Sequence, residues 1–223
     1  MKQSFTVLAA PPLSLCLPAT VCLYSRGVTE ALDKTELRAR MRSLRRRLAD
    51  EAPDAAERAA RRLPLSRFSR FRIVAAYVPR GSEFDPQPVL QAILGFDREH
   101  VTPALPVAVD RDSPLTFREW RPTDRLVPDA FGIPAPPASA PEVTPSLVIT
   151  PLLAFDRHGG RLGQGAGHYD RTLARLRKLR PVFALGVAFS GQEIDAAPMD
   201  RHDQRLDAIL TETEFIEVDR EGR

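Results

Sequence analysis

Short apolar runs alternate with amphipathic stretches along most of this chain, and that alternation constrains the fold more than any other feature. "FRIVAAYVP" (71–79), "SLVITPLLAF" (146–155) and "PVFALGVAF" (181–189) are apolar at successive positions rather than at every second one. A strand of that kind is buried on both faces, so helices must cover both sides of its sheet. The helices are legible between the runs: "PQPVLQAILGF" opens with proline, which suits a helix start, and Asp170–Arg180 follows a glycine-rich turn. "HVTPALPV", "LTFREW" and "LDAILTETEFIEV" supply further, weaker strands. The pattern predicts an α/β fold, a three-layer sandwich with a mostly parallel central sheet, Rossmann-like in outline. In such sheets ligands gather beyond the carboxyl ends of the strands. Three predicted loops open there: 81–85, 156–170 and 190–207. Residues 122–145 carry seven prolines between core-like strands and read as a surface loop.

The amino-terminal part differs in kind. "LDKTELRARMRSLRRRLAD" reads as a helix in which Leu37, Met41, Leu44 and Leu48 form one apolar stripe. Asp33 and Glu36 have capping-box spacing. Lys34 and Arg38, four apart, project from a different face. "PDAAERAARRL" predicts a second helix ending before Pro64. Residues 1–29 form an extension broken by Pro11, Pro12 and Pro18, with no acid before Glu30. It reads as a signal peptide, a disordered tail, or a stretch upstream of a true start near Val28, and it is set apart from a single domain over 30–223.

The bulk properties exclude several classes. At 223 residues, 43% apolar and 27% charged, the chain has material for a core and is not globally disordered. Cys16 and Cys22, both in the extension, are the only cysteines, so the main domain holds no disulfide framework, which fits a reducing, cytoplasmic setting. No apolar stretch is long enough to span a bilayer. Net charge is +3, yet twelve arginines fall between Arg38 and Arg72. Such a cluster suits a polyanion partner or a solvated helix face.

The chemistry concentrates in "RLGQGAGHYDRTLARL" (161–176). Glycines let the backbone approach a ligand closely, successive amides can form an anion nest, and the following helix start adds partial positive charge. This is neither the dinucleotide fingerprint nor a P-loop. Read alone, the stretch is either a phosphate cradle or a tight connection, and Asp170 either a helix cap or a cation ligand.

Lys34 with Arg38, "GSEFD", "VITPLLAFDRHGGRLGQGAGHYDRTL" and "HDQRLDAILTE" together resemble the 5-formyltetrahydrofolate cyclo-ligase family over residues 33–211. The resemblance implies ATP-dependent cyclisation of 5-formyltetrahydrofolate to 5,10-methenyltetrahydrofolate through phosphorylation of the formyl oxygen. It implies an ATP site built from Lys34, Thr35, Glu36, Leu37 and Arg38, with Arg161, Leu162, Gly163, Gln164, Gly165, Ala166, Gly167, His168 and Tyr169. It places Val78, Glu83 and residues Gln164 to His168 at the folate, and Mg²⁺ on Asp170 and Asp203. Two carboxylates brought together repel unless a cation lies between them, which agrees with that assignment. The chain departs from the family's usual pattern at Gln164, Ala166 and His168, which bears on nucleotide affinity. Its partners are then small molecules, with no nucleic acid or membrane, and it is taken as a monomer. The competing class is a basic nucleic-acid-binding protein using the arginine-rich helices, although aromatics are only 7% and few lie among the arginines to form a stacking platform. A histidine zinc site is disfavoured because His158, His168 and His202 lack ligand spacing.

Overall fold

A computed structural model describes residues 33–97 and 99–219, within one compact unit, Leu32–Arg223. The readings of residues 1–29 fall outside the described residues. The chain runs through α1 (Lys34–Glu51), α2 (Ala55–Arg62), β1 (Ile73–Ala75), α3 (Gln87–Phe96), β2 (Thr102–Val107), β3 (Thr116–Glu119), β4 (Val127–Pro128) and β5 (Pro134–Ala135). It continues through β6 (Leu147–Thr150), β7 (Ala154–Phe155), β8 (Arg161–Leu162), α4 (His168–Leu179), β9 (Phe183–Val187), β10 (Ala208–Leu210) and β11 (Phe215–Glu217).

Seven strands form the central sheet in the order β11-β10-β9-β6-β1-β2-β3. The five inner strands are parallel, and β3 and β11 close the two edges antiparallel. The apolar runs behave as their composition requires. Val74, Leu147, Ile149 and Leu185 pack on one face with Val89, Leu90 and Ile93 of α3 and Ala55 and Ala59 of α2. Their neighbours Ala75, Val148, Ala184 and Ile209 pack on the other face with Leu173 and Leu176 of α4. One strand thus serves two cores, and neither face tolerates a polar residue without a partner.

The order positions the site. β1 has β2 on one side and β6 on the other, so the chain leaves the carboxyl ends of β1 and β6 in different directions and opens a crevice between them. Helix α1 closes this crevice. Leu48 and Ala49, in its second half, and Ala52, just past its end, pack with the α2–α3 layer. Leu37, Met41 and Leu44, in its first half, pack on Leu153, Ala154 and Leu162 in the segment beyond β6.

Three local expectations need correction. "SLVITPLLAF" is not one strand: β6 stops before Pro151, which has no N–H for the ladder, and β7 pairs instead with β8 in a separate hairpin. The buried Gln192 holds the intervening turn by donating from Nε2 to the carbonyls of Leu152 (3.1 Å) and Leu153 (2.9 Å). Helix α4 begins at His168, so Asp170 lies inside its first turn and Gly167 (φ +70°) occupies the cap. Asp33 makes no side-chain capping bond. The start of α1 is pinned instead by the ion pairs of Lys34.

Candidate active site

The loop after β1 is built from the inside. Tyr77, buried, donates its hydroxyl to the carbonyl of Phe84 (2.5 Å), and the Phe84 ring meets Phe189 edge-on at 4.9 Å. The "GSEFD" turn is therefore fixed, and Glu83 is no solvated loop acid: its side chain is 9% exposed. Its Oε2 accepts from the Arg80 amide (3.0 Å) and its Oε1 from Gln164 Nε2 (3.2 Å). Arg45 Nη1 lies 3.8 Å from the same Oε1. Burial, and then the charge of Glu83, push the hydroxyls of Tyr77 and Tyr169 well above the usual tyrosine range. Val78 is half-buried against the same core.

The glycine turn adopts left-handed backbone at Gly165 (φ +108°) and Gly167 (φ +70°), where a side chain would be strained. Its carbonyls are held by guanidinium groups. Arg38 Nε donates to the Gly163 carbonyl (3.0 Å), Arg42 Nη2 to that of Gln164 (3.3 Å) and Arg171 Nη2 to that of Ala166 (2.9 Å). Arg42 Nε also donates to Gln164 Oε1 (3.1 Å). The α4 amino terminus directly after the turn favours an anion. His168 donates from Nε2 to the Asp110 carbonyl (3.0 Å), with its ring 5.5 Å from Phe131. Loops from β2 and from the proline-rich segment thus reach the same edge.

The acids also converge here. Asp170 Oδ1 accepts from Arg161 Nη2 (2.6 Å) and from the Gln204 amide (2.9 Å), which brings the chain next to Asp203 against it. Asp203 Oδ2 accepts from Lys34 Nζ (3.1 Å) and the Asp200 amide (2.8 Å). Each acid therefore has its own cation, and repulsion between them does not by itself require a metal. Arg161 is not an open phosphate ligand: its side chain is 3% exposed and committed to Asp170. Desolvation lowers its guanidinium pKa, against the opposing pull of Asp170. Asp170 Oδ2 and Asp203 Oδ1 accept no hydrogen bond among the described residues. These hard oxygens suit a small divalent cation.

The remaining expected residues divide between site and scaffold. Leu37 and Leu162 belong to the small core beneath α1, and Thr35 and Glu36 are exposed without a hydrogen bond to the glycine turn. Two residues that sequence reasoning passed over, Arg42 and Arg45, extend the Lys34–Arg38 face along α1. Their signal was present as continued helical spacing, hidden among other arginines. A cavity of about 990 Å³ opens beyond Asp203, lined by Arg177, Arg205, Val182 and Phe183, and the glycine turn does not line it.

A family model described as the 5-formyltetrahydrofolate cyclo-ligase family matches residues 30–212. The chain is 32% identical over 151 residues to 5-formyltetrahydrofolate cyclo-ligase of Escherichia coli K12, covering 65% of this chain and 80% of the relative. It is 36% identical over 145 residues to the Mycolicibacterium smegmatis protein of the same name, covering 63% and 73%. The NMR structure of Aquifex aeolicus 5,10-methenyltetrahydrofolate synthetase superposes with a TM-score of 0.69 at 29% identity, covering 85% of this chain and 94% of that one.

Proposed function

The chain belongs to the 5-formyltetrahydrofolate cyclo-ligase family, and from that premise we propose how its residues carry out the reaction. The activity is the ATP-dependent conversion of 5-formyltetrahydrofolate to 5,10-methenyltetrahydrofolate. In our reading ATP phosphorylates the formyl oxygen, the folate N10 attacks the activated carbon, and phosphate leaves, giving ADP and the methenyl product. No protein nucleophile is needed. The work of the site is to align two substrates and to neutralise phosphate charge.

One observation supports this reading above the rest: the Glu83 loop, the glycine turn and the two acids meet at the crevice between β1 and β6. The nucleotide phosphates lie along the glycine turn and the α4 amino terminus, with Lys34 and Arg38 beside them. The pterin ring presents N–H groups to Glu83, with Val78 and residues Gln164 to His168 lining the junction of the substrates. Asp170 and Asp203 hold Mg²⁺, which when bound offsets negative charge on the ATP phosphates. Arg161 holds Asp170 in place. A nucleic-acid role is disfavoured because Arg38, Arg42 and Arg45 are engaged by the site itself, and Arg62 and Arg67 by Thr213 and Glu217. We place the enzyme as a monomer in the cytoplasm. Among the described residues no helix is long and apolar enough to cross a membrane.

Incubation with 5-formyltetrahydrofolate, ATP and Mg²⁺ should produce the absorbance of the methenyl product. A non-hydrolysable ATP analogue should bind and yield none. Folded protein that gives no product under the first condition refutes the reading.

A further inference from the structure

Arg45 has no role in the reaction described so far, yet its setting is unusual. It stands where the cationic face of α1 borders the apolar stripe, its side chain is 6% exposed, and Nε donates to Ser82 Oγ (3.3 Å). Nη1 is buried, makes no hydrogen bond and faces Glu83 Oε1 at 3.8 Å. A buried guanidinium is expensive, and an apolar side chain would pack there at lower cost. Among the described residues this is the one ion pair of Glu83.

We propose that Arg45 is the positioning residue of Glu83: it holds the largely buried carboxylate in place, so that it accepts hydrogen bonds from the N–H edge of the pterin. The proposal rests on the assignment of Glu83 to the folate. The other groups around Glu83 cannot replace this cation. Tyr77, from the segment after β1, and Tyr169, from α4, are neutral, because burial and Glu83 itself oppose their ionisation. Asp85, two residues along the loop, is acidic. Gln164 is neutral, and Arg42 stands behind it, bonded to its amide oxygen. Without Arg45 a largely buried carboxylate lacks its counter-charge and is no longer held toward the pterin.

The experiment compares Arg45→Met, Arg45→Lys, Glu83→Gln and the Met/Gln double variant in the full chain, with KM measured for each substrate at neutral pH. Arg45→Met should raise the folate KM about tenfold at neutral pH and leave the ATP KM within about twofold. Arg45→Lys should restore most of the loss. The double variant should be no worse than Glu83→Gln, as expected for two residues acting through one interaction. An unchanged folate KM in Arg45→Met, an equal rise for both substrates, or no recovery in Arg45→Lys overturns the proposal while a raised folate KM in Glu83→Gln leaves the folate assignment standing. If Glu83→Gln itself does not move the folate KM, that assignment falls and the proposal with it. Should Arg45→Met not fold, Arg45→Gln, which can still bond Ser82 without the charge, is read by the same criteria.

Discussion

Asp170 serves two ends, and substituting it separates them. Its carboxylate neutralises a guanidinium that is 3% exposed, so Asp170→Asn leaves a buried charge without its partner. Breaking such a pair costs roughly 3–5 kcal/mol, and less here because Asp170 is itself 18% exposed. Thermal unfolding should register that loss, and the Mg²⁺ concentration for half-maximal activity should rise. Asp203 faces Lys34, whose side chain is 30% exposed. Asp203→Asn should therefore raise the Mg²⁺ requirement with a stability change of about 1 kcal/mol or less. Asp207 supplies the contrast. It accepts from the Ala184 amide (2.7 Å), at the opposite end of the strands, and pairs with Arg177 (3.0 Å). Asp207→Asn should cost about 1.5–3 kcal/mol and leave the Mg²⁺ dependence alone. The reverse outcome, with Asp207 and not Asp203 shifting the metal requirement, would mean that the wrong acid of the "DQRLD" segment has been assigned.

At the scale of elements, α1 does two jobs on two faces. Its apolar stripe seats the helix on the segment beyond β6, and its cationic face reaches the 200–203 loop, the glycine turn and the Glu83 loop in succession through Lys34, Arg38, Arg42 and Arg45. The faces should be separable by mutation. Met41 is 2% exposed, and Met41→Ala should destabilise the protein by about 2–5 kcal/mol. Arg38→Ala removes a hydrogen bond to a backbone carbonyl, worth about 1 kcal/mol, so melting should barely move. Its effect should appear instead as a raised ATP KM, measured with folate saturating. A large drop in melting for Arg38→Ala, with the ATP KM unchanged, would assign it to the scaffold.

For the molecule as a whole, the described helices and strands begin at Lys34 and the family match begins at residue 30. Removing residues 1–29 should leave turnover and melting temperature as they are in the full chain. A truncated protein that no longer folds or turns over would make the extension part of the catalytic domain.

The fold class was legible because burial on both faces leaves its mark on every position of a strand, and "FRIVAAYVP", "SLVITPLLAF" and "PVFALGVAF" carry that mark without reference to any partner. The location of the site followed from glycines and acids standing just beyond such runs. Tertiary structure alone decided which charges meet. Arg42 finds Gln164 across 122 residues and Arg45 finds Ser82 across 37, and a helix face rich in arginine reads the same whether it faces solvent or a carboxylate. It also decided that Glu83 is largely buried, since that depends on Tyr77, Phe84 and Phe189 locking the loop from below. Spacing along a chain determines which side chains share a surface, and packing determines what that surface touches.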